Sequence, residues 1–168
     1  FPLPHGAAIS NFAMTVDGEL VSGEVLPADQ ARRIYEETVR RQRDPGLLEY
    51  VGRDAFRARI YPIPAQGEKR VTLRYEQLLP QENGLVHYSY PLDTERFSSR
   101  PIDDVSVHVQ IETTAPLKAL YSPSHPVDVF RDGAHSAEIG YEDGNVKPDR
   151  DFELYYSMGD DPVGLHLL

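Results

Sequence analysis

The side chains best suited to chemistry in this chain are its six histidines, because imidazole serves both as a metal ligand and as a base near neutral pH. His87 and His108 fall on the polar side of predicted strands. The other four lie near Pro, Gly or the end of the chain: His5, His125, His135 and His166. No two histidines are two or four residues apart, the spacings that bring two ligands to one face of a strand or helix. The sequence predicts hydrogen-bonded or solvent-facing imidazoles and no metal site among them.

A hydroxyl and an imidazole come close together at Ser122, Ser124 and His125, the pair of groups that nucleophilic catalysis needs. They lie in a Pro-rich turn without a Gly-x-Ser-x-Gly elbow, and no acid is evident to orient the imidazole. The chain also lacks cysteine and both glycine-rich phosphate-binding motifs. The sequence therefore predicts a protein that is not an enzyme, with no catalytic residue and no cofactor.

A dense group of oxygen-bearing side chains surrounds Gly144 and is the one candidate for a calcium site. Its members are Glu142, Asp143, Asn145, Asp149 and Asp151. The spacing is not that of an EF-hand loop, which needs alternating ligands and a closing Glu. An acidic, solvated turn between two strands is favoured, since Asp, Asn and Gly commonly make turns. A calcium- or carbohydrate-binding β-sandwich that uses the acidic second half stays open as the alternative function.

A second metal-like pattern is Asp104-x-Ser106-x-His108. It resembles the Asp-x-Ser-x-Ser motif of von Willebrand A domains, which bind magnesium through a loop whose oxygens converge on one ion. Here the pattern falls inside the strongest β-alternation of the chain, where Ser106 and His108 project from one face of a strand. We expect a strand at this position and no metal ligands.

The composition restricts the possible partners. The chain has 168 residues and a formal net charge of −10, divided into −1 for residues 1–84 and −9 for residues 85–168. This sign disfavours nucleic acid and anionic lipid, whose binding depends on Lys and Arg. No run of 18 apolar residues is present, so no direct membrane insertion is predicted. The absence of cysteine excludes a disulfide scaffold and leaves the compartment open.

One segment has the periodicity of a helix. Apolar residues recur at spacings of three and four over residues 27–42, which indicates one amphipathic α-helix. Its outer face carries Glu36 with Arg40 and Glu37 with Arg41, in the favourable orientation for i,i+4 pairs. If the chain uses a surface to bind a protein partner, we expect it on this helix face or at sheet edges that are left unpaired by strands missing from the first module.

The remaining segments alternate with a period of two, most clearly at Val105, Val107 and Val109. About ten such strands are separated by Pro, Gly and Asn-Gly or Asp-Gly turns. This pattern predicts a mainly β protein, an antiparallel β-sandwich-like fold that carries one helix. The polar segment from Thr94 to Pro101 is the expected joint between two parts.

The order of the motifs in the first 92 residues resembles that of the VIT domain, the vault and inter-alpha-trypsin inhibitor heavy-chain module. The matching elements are Phe1-Pro2-Leu3-Pro4, Ala7-Ala8-Ile9, Phe12-x-Met14-x-Val16-Asp17-Gly18, Gly23-Glu24-Val25, a helix with Ala31 and Tyr35-Glu36, Leu47-Leu48-Glu49, Phe56-x-Ala58-x-Ile60-x-Pro62-Ile63, Val71-x-Leu73-x-Tyr75 and Tyr90-Pro91-Leu92. Residues 93–157 look like the β-rich region that links a VIT domain to a following von Willebrand A domain.

The resemblance implies a domain division into residues 1–92, a VIT-like module without its first strands, and residues 93–168, a linking β region. It also implies a longer protein with a von Willebrand A domain after Leu168. The expected function is a non-catalytic interaction or structural module with protein partners, including that A domain. A secreted, periplasmic or surface-anchored location is the expectation for such a family member.

Overall fold

The computed structural model describes residues 2–16, 18–24, 26–41, 45–52, 55–63, 65–93 and 100–159. The elements follow one another as β1 (Ala8–Val16), β2 (Glu19–Ser22), α1 (Ala28–Arg40), β3 (Gly46–Gly52), β4 (Ala55–Ile60), β5 (Val71–Glu76), β6 (Gln81–Glu82), β7 (Leu85–Tyr90), β8 (Ile102–Glu112), β9 (Leu117–Tyr121), β10 (Asp128–Asp132), β11 (Ser136–Val146) and β12 (Phe152–Met158). The prediction of a mainly antiparallel β fold with one helix is confirmed. The chain forms two compact units, unit 1 (Phe1–Leu78) and unit 2 (Leu79–Leu168).

Unit 1 contains a three-stranded antiparallel sheet in the order β2-β1-β5. Strands β1 and β2 form the hairpin that the Asp17-Gly18 dipeptide predicts, with Val16 opposite Glu19 and Ala13 opposite Ser22. Strand β5 pairs with the other edge of β1, so that Phe12 lies opposite Leu73. The register places the alternating apolar residues of β1 and β5 on the same face of the sheet.

A second hairpin of unit 1, β3 with β4, packs closely against this sheet. Gly46 on β3 makes the approach possible, since a Cβ atom at this position would stand 2.6 Å from Met14 Sδ. Helix α1 also belongs to unit 1, and its bounds agree with the predicted range 27–42 to within two residues. No residue of α1 is buried, although its apolar stripe is half-buried at Ala31, Tyr35 and Val39.

Unit 2 is a two-layer sandwich. One sheet has the order β10-β11-β8 and the other the order β6-β7-β12-β9, and every neighbouring pair is antiparallel. The buried cluster between them takes its residues from both sheets: Leu92, Ile111, Leu117, Ala137, Ile139, Phe152 and Leu154. The period-two alternation of β8 and β12 places these residues inside and their neighbours outside.

A tight turn lies between the first two strands of unit 2. Asn83 and Gly84 have positive φ angles of 51° and 80°, which is the backbone that a two-residue type I′ hairpin requires. The turn joins β6 and β7 with Glu82 opposite Leu85. The Asn-Gly signal in the sequence thus marks the hairpin at the correct position.

The compact units divide at residues 78/79, which is earlier than the domain boundary of 92/93 that the motif order predicts. The physical reason is strand β7, which pairs with β12 along its whole length from Leu85 to Tyr90. The expected joint at 94–101 lies mostly outside the described residues. With the structural division, unit 1 has eleven acidic and eleven basic residues, whereas unit 2 has sixteen and six. The net charge of −10 therefore belongs entirely to unit 2.

Candidate interaction surfaces

In unit 1, a carboxylate on β3 connects α1 to the β3–β4 hairpin. Glu49 accepts hydrogen bonds from Arg32 on the helix, at 2.6 Å between Nη2 and Oε1, and from Arg59 on β4, at 2.8 Å between Nε and Oε2. The bond from Arg32 is the main cause that lowers the pKa of Glu49 below its ordinary range, and the bond from Arg59 comes next. The cluster fixes the helix on the hairpin through its first half, which leaves the second half free to present charges.

The second half of α1 carries the four residues predicted to interact with a partner: Glu36, Glu37, Arg40 and Arg41. All four are exposed. Among the described residues, neither predicted i,i+4 pair is formed, and the intrahelical ion pair that occurs is Arg33 with Asp29, at 3.7 Å. Exposed side chains of opposite sign gain little from pairing, because the ordering of two long side chains offsets the attraction. These four charges remain available to a partner, and their role in binding stays a prediction.

The acidic residues of the candidate calcium group in unit 2 lie on different faces and bond to different partners. Glu142 to Asn145 belong to β11, which continues to Val146, and within it Asn145 has left-handed backbone with a φ of 53°. The prediction of a turn at this point is wrong, since β8 is long enough to pair with the extended strand. In a strand, Glu142 and Asp143 point to opposite faces of the sheet.

The carboxylates of this acidic group bond to different partners. Asp143 accepts a bond from the Tyr141 hydroxyl, Asp149 pairs with Arg150 at 2.8 Å, and Asp151 accepts from the Asp93 N–H. In the part of the chain that the structure describes, no group of three or more His, Asp or Glu side chains is placed to hold a metal ion. The geometry therefore gives the calcium alternative no support.

The structure brings Ser122, Ser124 and His125 together, as their spacing suggests. His125 Nδ1 lies 2.8 Å from Ser124 Oγ, and the same oxygen accepts a hydrogen bond from the Glu153 N–H at 2.8 Å. Ser122 Oγ accepts from the His125 N–H. The Ser124 bond connects the turn after β9 to strand β12, and the Ser122 bond lies within the turn itself.

The ring of His125 also packs against the core of unit 2. Its ring contacts Tyr141 edge-on, with 4.6 Å between centroids, and Phe152 at 5.5 Å. Burial lowers the pKa of His125 below its ordinary value, and the positive charge of Arg150 lowers it further. The neutral imidazole is the form that fits this position.

A row of three rings crosses the outer face of the second sheet of unit 2. Tyr155 on β12 stacks on His87 of β7 with 4.3 Å between centroids, and on Tyr121 of β9 with 5.4 Å. Glu153 lies beside this row and bonds both to His87 Nε2 and to the Ser89 hydroxyl. Cross-strand ring pairs of this kind stabilise a sheet, and sequence reasoning missed them because strand neighbours were unknown.

The three remaining histidines of the described residues have separate surroundings. His5 precedes β1, and its backbone carbonyl accepts a hydrogen bond from Gln77 Nε2. His108 Nε2 lies 3.9 Å from Glu138 Oε2 on the outer face of the first sheet, and His135 contacts the Thr113 carbonyl. His166 lies outside the described residues. The pattern Asp104-x-Ser106-x-His108 is part of β8, as its alternation predicts.

Comparison with known proteins identifies the first unit. Residues 1–75 match the family described as the vault protein inter-alpha-trypsin domain, VIT. This similarity to the VIT domain is therefore a finding about the N-terminal 75 of the 168 residues. The match covers α1, the Glu49 cluster and the sheets of unit 1 almost to the end of β5.

The similar proteins are much longer than this chain. Human inter-alpha-trypsin inhibitor heavy chain H6 is 28% identical over 138 residues, which are 82% of this chain and 10% of that protein. Mouse von Willebrand factor A domain-containing protein 5A is 28% identical over 185 residues, 94% of this chain and 23% of that protein. Human heavy chain H3 is 34% identical over 83 residues, 49% of this chain and 9% of that protein. No solved structure matches the chain significantly.

Within the described residues, no helix has both the length and the apolar character that a membrane crossing needs. The described residues present three candidate surfaces: the charged half of α1, the ring row of the second sheet, and the acidic outer face of the first sheet in unit 2.

Proposed function

We propose that this chain is a non-catalytic protein-interaction module of a protein that combines VIT and von Willebrand A domains. The observation that carries the proposal is the VIT match over residues 1–75, together with relatives whose names include a von Willebrand A domain. The proposed partners are proteins, first among them the von Willebrand A domain of the same polypeptide. A secreted, periplasmic or surface-anchored location is part of the proposal and rests on the family.

The helix face supports this function because its charges are exposed and are not used by the fold. Glu36, Glu37, Arg40 and Arg41 take part in no ion pair among the described residues, whereas Arg32 on the same helix is held by Glu49. Charges at the edge of a protein contact mainly set its orientation and its association rate. A partner with complementary charges would bind this half of α1 without disturbing the Glu49 cluster.

The test measures binding between the 168-residue chain and the recombinant von Willebrand A domain encoded in the same reading frame. The variant Arg40→Glu with Arg41→Glu is expected to weaken this binding by about tenfold, as reversal of two interface charges typically does. Arg70→Glu with Arg74→Glu is the matched control, because both residues are exposed in unit 1 and lie away from α1. Equal effects of the two variants, or a reading frame without such a domain, would contradict the proposed partner.

The absence of catalysis is tested separately. Ser124 and His125 are the pair closest to a nucleophile and base, so any esterase or amidase activity of the purified chain should be compared with that of Ser124→Ala. We expect no turnover by either protein. Turnover that is lost on this substitution would replace the interaction module by an enzyme.

A further inference from the structure

Strand β8 is a long edge strand. It has eleven residues and pairs on one side with β11 in one register, from Glu112 opposite Ser136 to Ile102 opposite Val146, with no pair between Asp103 and Asn145. Among the described residues, no strand pairs with its other side. Its outer backbone N–H and C=O groups are therefore positioned to bind a further strand.

Apart from Asp103, a charge on the inner side near one end of the strand, this edge lacks features that usually prevent such pairing. Residues Ile102–Glu112 contain no Pro, Gly or Lys, and no register shift interrupts them. The opposite side of the sandwich differs. There Arg131 on β10 donates to the backbone carbonyls of Leu117 and Lys118 on β9, at 2.9 and 2.7 Å. A side chain thus binds two carbonyls at the start of β9, whereas among the described residues β8 has no strand partner on its outer side.

The two faces of β8 determine which strand would fit. Val105, Val107 and Val109 are half-buried and pack on the core of unit 2, so an added strand needs apolar residues on this inner side. On the outer side, the register brings six carboxylates of β8, β10 and β11 to one face of the sheet: Asp104, Glu112, Asp128, Asp132, Glu138 and Glu142. No Lys or Arg shares this outer face. An added strand therefore needs basic residues at its outward positions.

We propose that the free edge of β8 binds an extended segment of a partner protein in which apolar and basic residues alternate. The segment would add a fourth strand to the sheet β10-β11-β8 through backbone hydrogen bonds. Its apolar side chains would cover Val105, Val107 and Val109, and its Lys or Arg side chains would lie beside the acidic face. This inference deepens the proposed interaction function by naming the edge used and the chemistry of the partner.

A second copy of the chain fits the edge less well. Antiparallel pairing of two β8 strands continues the sheet, so the two acidic faces would lie side by side on the same surface. With His108 at the centre of such a pairing, Asp104 of each copy would stand opposite Glu112 of the other. Like charges directly opposite one another destabilise a sheet. The same charges that favour a basic strand therefore oppose self-association.

The probe for this surface is a synthetic eleven-residue peptide that alternates Val and Lys, added to the 168-residue chain at 150 mM salt. Its binding is followed by NMR shifts and by amide hydrogen exchange. We expect slower exchange at β8 amides and no change at those of β10. Three control peptides should bind at least about tenfold more weakly: a scrambled sequence, a peptide N-methylated along one edge, and a Val–Glu alternation.

Matched protein variants locate the surface. Ser106→Lys with Gln110→Lys changes the charge beside the free edge by two units, and Asp128→Asn with Asp132→Asn makes the same change on β10. The first variant should weaken peptide binding by about tenfold and the second by less than about threefold. Thermal unfolding shows whether both variants fold. If the β8 variant does not fold, the comparison of the Val–Lys peptide with the three control peptides on the parent chain still tests the proposal.

Several results would overturn the inference. Equal binding of the scrambled or N-methylated peptide would show general attraction of a cation to an acidic protein. A concentration-dependent dimer that is lost in the β8 variant would assign the edge to a second copy. Equal effects of the two protein variants would remove β8 from the contact. None of these results bears on the α1 variants, so failure here and failure of the proposed von Willebrand A contact are distinguishable.

Discussion

Replacement of Glu49 by Gln tests how helix α1 is held on unit 1. The substitution keeps the size of the side chain and one carbonyl oxygen but removes the negative charge that receives Arg32 and Arg59. Because no residue of α1 is buried, apolar packing contributes less to its attachment than in an ordinary core helix. We therefore expect the helix to loosen before the sheets of unit 1 do.

The exposure of Glu49, Arg32 and Arg59 sets the size of the expected loss of stability. Glu49 is 16% exposed, whereas Arg32 and Arg59 are 60% and 49% exposed and can be hydrated when the carboxylate is removed. Exposed ion pairs contribute up to about 1 kcal/mol each, and charge-assisted hydrogen bonds to a less exposed group somewhat more. We expect Glu49→Gln to lower the free energy of unfolding by about 1–2 kcal/mol. For a unit of this length, the Tm should fall by roughly 5–10 °C.

The assay combines thermal unfolding with amide hydrogen exchange. Glu37→Gln is the control, since it removes an exposed carboxylate of α1 that takes part in no ion pair among the described residues. Glu49→Gln should speed exchange of the α1 amides by about tenfold and leave β1 almost unchanged, whereas the control should alter neither. Equal exchange rates in the two variants would refute the role of Glu49 as the anchor of the helix.

The pH dependence gives a second measure of the same contact. Arg32 and then Arg59 hold the pKa of Glu49 below its ordinary value of 4.5. A depressed carboxyl pKa stabilises the folded state above the unfolded-state value, and this contribution is lost as the pH falls through the folded-state pKa. The stability difference between the parent and Glu49→Gln should therefore be largest at neutral pH and shrink below about pH 4.5. A difference that is constant over this range would contradict a charge-based mechanism.

Three further outcomes are expected for unit 2. Phe152→Ala should cost about 3–5 kcal/mol of its unfolding free energy, because this side chain is completely buried between the two sheets; denaturant unfolding measures it, and a loss below about 1 kcal/mol would contradict the described core. Burial, and then Arg150, lowers the pKa of His125, so the unfolded chain binds the proton more readily and the stability of unit 2 should decline as the pH falls below about 6.5. Between pH 8 and 5, the unfolding free energy of His125→Gln should depend less on pH than that of the parent. Millimolar calcium should leave the Tm unchanged, because the carboxylates of Glu142, Asp143, Asp149 and Asp151 do not converge; a rise that disappears in Asp143→Ala with Asp149→Ala would restore the calcium alternative.

Some of the interaction chemistry could be read from the sequence and some could not. The exposed charges of α1 and the strand position of Ser106 and His108 follow from periodicity, which is a local property. The Glu49 cluster was missed, although an acidic residue in the apolar run Leu47-Leu48-Glu49 was a signal for a buried or half-buried charge pair. The extent of β11 was also missed, because the acidic residues after Tyr141 resemble a turn when the long partner strand β8 is not considered.

The type of each element follows from local sequence pattern, since alternation, helical spacing and the Asp-Gly and Asn-Gly turns act within a few residues. The sequence also determines the sign of the charge in the second half. The neighbours of each strand become known only from the folded chain, in which His87 contacts Glu153 across 66 residues of sequence and β7 pairs within unit 2. The physical reason is that alternation specifies which face of a strand is buried but contains no information about its hydrogen-bonding partner. The free edge of β8 and the acidic face beside it are consequences of those long-range pairings.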